Sequence, residues 1–194
     1  RLRAHHRRCG ERACREARRK ALPEVLTAFQ ELYARFPHLH LKVITNFADG
    51  TVDMPEHPGI ELLGETSRDE VQRLLQQSHM LLVPSHFESY GWIYLEAMAA
   101  GCIPVAASGA TQKEMLADGR AGLPVGADAA HLRHAILPYL LHPETLLPFA
   151  MEAVNHCKGE YFPDVIARRF QQIGEEAVSA FRASANPALR SKAL

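Results

Sequence analysis

The chain has 194 residues, 47% hydrophobic and 23% charged, with 22 basic against 22 acidic side chains, which is globular composition and excludes a disordered or collagen-like chain. The neutral total hides a basic head: residues 1–20 hold nine Arg and Lys against two Glu, a balance of +7, so the other 174 residues carry −7. That acidic body argues against a broad nucleic-acid surface, and no nucleic-acid partner is expected, although the head itself can be solvated or can meet an acidic membrane surface or an anionic ligand.

From Lys20 onward the apolar spacing alternates between helical and strand periods. Leu22, Val25, Leu26, Phe29, Leu32, Tyr33 and Phe36 recur at three- and four-residue steps, an amphipathic helix ended by Pro37. Leu39, Leu41, Val43 and Ile44 make a short strand, followed by a polar loop through Asp49-Gly50 and a turn over Pro55 to Gly59. A second strand, Ile60 to Leu63, stops at Gly64. Thr66 or Ser67 then caps a helix carrying Val71, Leu74 and Leu75. The run Met80-Leu81-Leu82-Val83 predicts a buried strand closed by Pro84. A helix from Trp92 to Ala100, a strand from Ile103 to Ala106, a helix from Gln112 to Ala117 and a short strand at Leu123 to Val125 complete the alternation. Beyond Asp128 the pattern is helical throughout.

Strands separated by single helices imply a doubly wound parallel sheet, an α/β Rossmann-like layer. The expected organisation is a basic segment over 1–19, one domain over 20–184 and a frayed tail over 185–194. Cys9, Cys14, Cys102 and Cys157 are too scattered for a disulfide framework, and Cys9 with Cys14 lack the second pair of a zinc site. They read as reduced thiols of a cytoplasmic protein. No apolar run approaches the roughly 18 residues of a membrane helix, and a peripheral membrane association stays open.

In such layers ligands sit beyond the carboxyl ends of the strands. Two loops fall there, Pro84 to Gly91 and Ala107 to Thr111. Each leads small residues into a helix start, where unpaired N–H groups and the helix dipole favour a phosphate. Glu88 and Glu96, eight positions apart, would be repelled by that phosphate and are better explained as acceptors of sugar hydroxyls. The plainer alternative makes Glu88 a solvated loop carboxylate and Glu96 a helix surface residue. Tyr90, Trp92 and Tyr94 are a candidate nucleotide platform, although Trp92 and Tyr94 are expected to pack inside. His86 reads as a loop residue, and His5-His6 as a solvated pair. Ser85 and His86 are adjacent in sequence and show no acid partner, so a hydrolase triad is not expected.

The stretch from Pro84 to Val105, with Glu88, seven residues, Glu96, and then Ala97-Met98-Ala99-Ala100-Gly101-Cys102-Ile103-Pro104-Val105, closely resembles the donor-site signature of retaining glycosyltransferases of family 4, which have the GT-B fold. The resemblance runs on through Gly109, Glu114, Asp118-Gly119 and Gly122-Leu123, and back to Gly64 and to Lys20-Ala21, where the family has Lys-Gly. It covers roughly residues 18 to 182. It implies the C-terminal, nucleotide-sugar-binding half of a GT-B enzyme, a hexosyltransferase of carbohydrate biosynthesis. Glu88 would contact the donor hexose, the N–H groups around Tyr90, Gly91 and Trp92 its sugar and diphosphate, and Glu96 the ribose. Lys20 and one of Arg12 or Arg15 would neutralise the diphosphate, Arg15 being the residue carried forward, and Leu62, Leu63 and Gly64 would flank the base. Lys20 and Glu88 are the catalytic candidates.

The resemblance implies no cofactor and no metal, the partners being a nucleotide sugar and an acceptor of unknown kind (glycan, lipid or small molecule). Ser89, Ala110 and Thr45-Asn46 depart from glycines of the family. An N-terminal acceptor domain, which such enzymes carry, is absent from this chain, so activity of the chain alone is not expected. The alternative is a non-catalytic nucleotide-sugar-binding module of the same fold; an epimerase is disfavoured by the Ala-Met-Ala-x-Gly step.

Overall fold

The computed structural model describes residues 11–45, 54 and 56–185. The described elements are α1 (Glu11–Arg19), α2 (Leu22–Tyr33), β1 (Leu41–Ile44), β2 (Ile60–Leu63), α3 (Arg68–Gln76), β3 (Met80–Val83), α4 (Trp92–Ala99), β4 (Ile103–Ala107), α5 (Ala110–Met115), β5 (Leu123–Val125), α6 (Ala129–Leu141), α7 (Leu146–Tyr161) and α8 (Pro163–Ala185). The expected loop through Asp49-Gly50, Asn46, His5-His6 and the tail beyond Ala185 lie outside the described residues.

All strand pairings are parallel, as the alternation implied, but the described strands form two sheets instead of one. β1 pairs with β2 from Leu41 opposite Ile60 to Ile44 opposite Leu63, and β4 lies between β3 and β5. The apolar faces of the two groups meet under α2. Val25 and Ala28 of α2 pack with Val105, Val125 and Leu132, and Leu41 of β1 and Met80 and Leu82 of β3 border that cluster. On the opposite face of β4, Ala106 joins Tyr94, Leu95 and Met98 of α4, Met115 and Leu116 beside α5, and Ala153 and Cys157 of α7. Successive strand residues thus feed opposite cores, as a sheet covered by helices on both faces requires.

Several boundaries move for local reasons. α2 ends at Tyr33, short of Pro37, because the residue before a proline is driven from helical geometry and the Arg35 and Phe36 N–H groups both turn back onto the Leu32 carbonyl. β3 is half-buried along its length, not buried, because it borders its sheet while β4 takes the centre. The helix expected over Gln112–Ala117 starts two residues earlier and passes into a single 3-10 turn over Ala117–Gly119, where Ala117 and Asp118 adopt positive φ. Ser67, not Thr66, caps α3: its hydroxyl accepts from the Glu70 N–H at 3.3 Å. The head is helical over Glu11–Arg19, which its apolar spacing does not foretell, and α1 lies against α2 with Ala17 buried. α8 packs on α7 and leaves Phe170, Ile173 and Phe181 exposed.

Cys102 and Cys157 are both buried as free thiols. Burial pushes the Cys102 thiol up to about 12 and raises that of Cys157, so neither is a nucleophile at neutral pH.

Candidate functional site

β3 and β4 run parallel and adjacent, so the loops leaving their carboxyl ends stand side by side. Pro84 has no N–H to continue the β3 ladder, and the chain turns outward. It re-enters regular structure at Gly91, whose φ of +87° is open to glycine and strained for other residues. A Cβ there would lie 2.4 Å from Cε2 of Tyr94 and 3.3 Å from Cγ of Glu88. Gly91 carries no side chain to cap α4, so the helix terminus presents backbone donors. In the second loop Gly109 precedes α5, and a Cβ on it would collide with Oε1 of Gln112 at 2.5 Å. Gln112 is itself buried, and its Nε2 donates to the Glu88 carbonyl at 3.4 Å. One loop therefore braces the other, through a glutamine that the sequence pattern did not single out.

A third segment reaches the same place from the start of the chain. α1 and α2 are joined through Lys20 and Ala21, the latter buried and left-handed with φ 56° and ψ 35°. This is the position where the resembling family has glycine, and the backbone retains the conformation glycine favours. Lys20 Nζ donates to Oε2 of Glu88 at 2.5 Å, across 68 positions of sequence. Glu88 is mostly enclosed, with 15% of its side chain exposed. The plain reading of Glu88 as a solvated carboxylate is therefore set aside.

Arg19 is the residue that the sequence reading missed. Its Nη1 donates to the Phe87 carbonyl at 2.7 Å and stands 3.8 Å from Glu88 Oε2, while Nε and Nη2 grip both oxygens of Glu16 at 2.9 and 2.5 Å. The Arg19 carbonyl also accepts from the His86 N–H at 2.9 Å. The Glu16 bond holds Arg19 above its ordinary range and, reciprocally, Arg19 holds the Glu16 carboxyl below its own. The only trace in the sequence is the three-residue spacing from Glu16, a helical ion-pair step. Arg15 lies one helical turn before Arg19 and is exposed; the side chain of Arg12 lies outside the described residues.

The other candidates divide. Tyr90 is half-buried, with its ring 5.0 Å from that of Trp92. Trp92 is 70% exposed, which corrects the expectation that it packs inside. Two residues apart on a helix point about 200° away from each other, so Tyr94 and Trp92 cannot share a face. Tyr94 takes the core, fully buried, its hydroxyl donating to the Val83 carbonyl at 2.7 Å and pushed up to about 12 by burial. Glu96 is exposed on α4, 3.6 Å from the even more exposed Arg68. Leu63 is half-buried and Gly64 exposed at the carboxyl end of β2, in the other sheet, with open space where a Gly64 Cβ would lie. His86 is half-exposed, its Nε2 3.6 Å from Glu24. Among the described residues, no three His, Cys, Asp or Glu side chains converge as metal ligands, and no helix is long and apolar enough to cross a membrane.

Comparison with known proteins gives these contacts a family. The D-inositol 3-phosphate glycosyltransferase of Corynebacterium efficiens is 27% identical over 150 residues, 70% of this chain and 35% of that protein. Sucrose-phosphate synthase of Thermosynechococcus elongatus superposes with a TM-score of 0.66 at 18% identity, over 84% of this chain and 43% of its own. HepE of Anabaena, solved in complex with UDP and glucose, gives 0.53 at 21% identity over 63% of this chain and 33% of its own. The chain thus spans between a third and a half of the length of these relatives, and the structural likenesses establish the Rossmann-like α/β layer of GT-B glycosyltransferases. The profile described as Glycosyl transferases group 1 matches residues 12–142, well over half of the sequence and inclusive of Arg19, Lys20, Glu88 and Gly91. The chain belongs to the glycosyl transferases group 1 family.

Proposed function

We propose that this chain is the donor-binding domain of a retaining glycosyltransferase that moves a hexose from a nucleoside diphosphate sugar to an acceptor. The observation that carries the reading is the meeting of Lys20 with Glu88 at 2.5 Å beside the uncapped start of α4. A cation and a helix terminus suit a diphosphate; a carboxylate at its edge suits sugar hydroxyls, from which it accepts strong hydrogen bonds. Lys20 and the α4 N–H groups near Gly91 and Trp92 would offset the charge that develops on the leaving diphosphate, which calls for no divalent metal. Glu88 would hold the hexose, Glu96 on α4 the ribose, and Leu63 with Gly64 the base. Tyr90, beside Gly91, would flank the sugar-diphosphate junction. Arg15 is assigned as a second counter-charge for the diphosphate. HepE, whose structure holds UDP and glucose, supports a nucleotide sugar as the ligand class.

Transfer also requires an acceptor held against the donor. Unpositioned reactants forgo roughly 7–11 kcal/mol of the proximity contribution, so this domain alone should turn over negligibly without an acceptor domain. A nucleotide-sugar-binding module of the same fold without catalysis is the second reading.

The test compares two glutamates against two ligands by calorimetry. Glu88→Ala is expected to weaken the intact nucleotide sugar and leave the nucleoside diphosphate unchanged or slightly tighter. Glu96→Ala is expected to weaken both by about 1–3 kcal/mol, the value of charged hydrogen bonds. Equal losses for both ligands in Glu88→Ala would reassign Glu88 to organising the loop.

A further inference from the structure

Lys20 and Arg19 are both cations near Glu88, but they are held in opposite ways. Arg19 is fixed at three points: Glu16 takes two of its nitrogens, and the Phe87 carbonyl takes the third. Its planar fork cannot leave Glu88 without breaking bonds at both ends. Lys20 ends a flexible stem, and its Nζ donates to Glu88. Glu88 is largely enclosed, so a state in which it keeps its charge and loses every cation is strongly disfavoured. A diphosphate arriving at α4 competes with Glu88 for Lys20. The competition can be won only if another cation stays with the carboxylate.

We propose that Arg19 is a positioning residue that retains Glu88 when Lys20 passes to the donor diphosphate, so that ligand entry exchanges one ion pair for another without stranding a largely enclosed carboxylate. This rests on the donor-binding reading above and adds to it a division of labour, with a fixed cation for the protein's own anion and a mobile one for the ligand. Arg19 then acts on the diphosphate through Glu88 and Lys20, without touching it. The short bond to the Phe87 carbonyl keeps the loop and the guanidinium in register during the exchange, and the Arg19 carbonyl does the same through the His86 N–H.

The experiment is a double-mutant cycle on nucleoside diphosphate affinity, measured by calorimetry in the full chain with UDP, GDP and ADP as probes. Arg19→Gln should lower affinity for the bound probe about tenfold, because of the two described cations paired with Glu88 only Lys20 then remains, and Glu88 holds it. Glu88→Gln alone should raise affinity slightly. In the Glu88→Gln background the Arg19→Gln loss should shrink to less than about threefold, since no carboxylate competes for Lys20. A merely structural arginine, or one that touches the phosphates directly, would cost the same factor in both backgrounds, and that result overturns the proposal. If Arg19→Gln does not fold, Arg19→Lys enters the same cycle; it keeps the charge and loses the fork, and a smaller loss that Glu88→Gln again abolishes is expected. A wild-type chain that binds none of the three probes overturns the donor-binding reading itself, whereas binding with an additive cycle overturns only the role of Arg19.

Discussion

Gly91→Ala is the substitution for which the structure gives the most detailed expectation. An alanine at φ +87° pays the left-handed penalty, roughly 1–2 kcal/mol. Its Cβ would also stand 2.4 and 2.5 Å from two carbons of the Tyr94 ring, which cannot retreat because Tyr94 is fully buried and tied to the Val83 carbonyl. Forced overpacking of this kind costs about 1–3 kcal/mol. The two together come to roughly 2–5 kcal/mol, and at about 2–4 °C per kcal/mol for a chain of this size the melting temperature should fall by roughly 4–20 °C. Gly64→Ala is the control: its Cβ meets nothing within 4 Å, and it should stay within about 0.5 kcal/mol of wild type. Thermal unfolding followed by circular dichroism reads both. A Gly91→Ala chain melting within a degree or two of wild type would refute the reasoning, since Tyr94 would then not be fixed as described.

The strained Ala21 gives a second test: Ala21→Gly should remain within about 1 kcal/mol of wild type, relief of the turn offsetting the lost methyl, while Ala21→Val should cost about 2 kcal/mol or more, since a branched residue resists this conformation. Urea unfolding separates the two. Tyr94 and Cys102 keep their protons in the folded chain up to about pH 12, whereas the unfolded chain releases them near 10 and 9. Their contribution to stability is therefore complete below about pH 9 and is lost as pH rises towards 12; Tyr94→Phe should flatten the fall above pH 10, and an unchanged slope would remove Tyr94 from the account. Alkylation of the native chain at pH 8, mapped by mass spectrometry, should spare Cys102 and Cys157 and modify them once urea is added.

The strand and helix order was legible because each apolar run changes period at a proline, a glycine or a capping residue, as at Pro84, Gly64 and Ser67. The division into two described sheets was not, since pairing partners are set by tertiary placement and not by local pattern. Glu88 and Gly91 were visible through their spacing to Glu96 and the helix that follows. The burial of Glu88 and its bond to Lys20 were not, because they depend on a turn at Ala21 that delivers a segment 68 positions away. Arg19 was hidden for a related reason. In a head so rich in arginine, composition cannot say which guanidinium meets the loop; the Glu16 step and the Phe87 carbonyl decide it. The exposure of Trp92 was not legible from residue type, which favours the core for any aromatic; two of them two positions apart on a helix face opposite ways, and Tyr94 takes the inner one.

The central claim, that a diphosphate is held by Lys20 and the start of α4, is tested most directly by calorimetric titration of UDP-glucose, GDP-mannose and ADP-glucose into wild type and Lys20→Ala with a chelator present throughout. Wild type is expected to bind at least one of these saturably without divalent metal. For that ligand Lys20→Ala should lose roughly 10- to 100-fold, the equivalent of about 1.5–3 kcal/mol for a charged hydrogen bond. Wild-type binding that vanishes with the chelator, or an affinity that Lys20→Ala leaves unchanged, would contradict it.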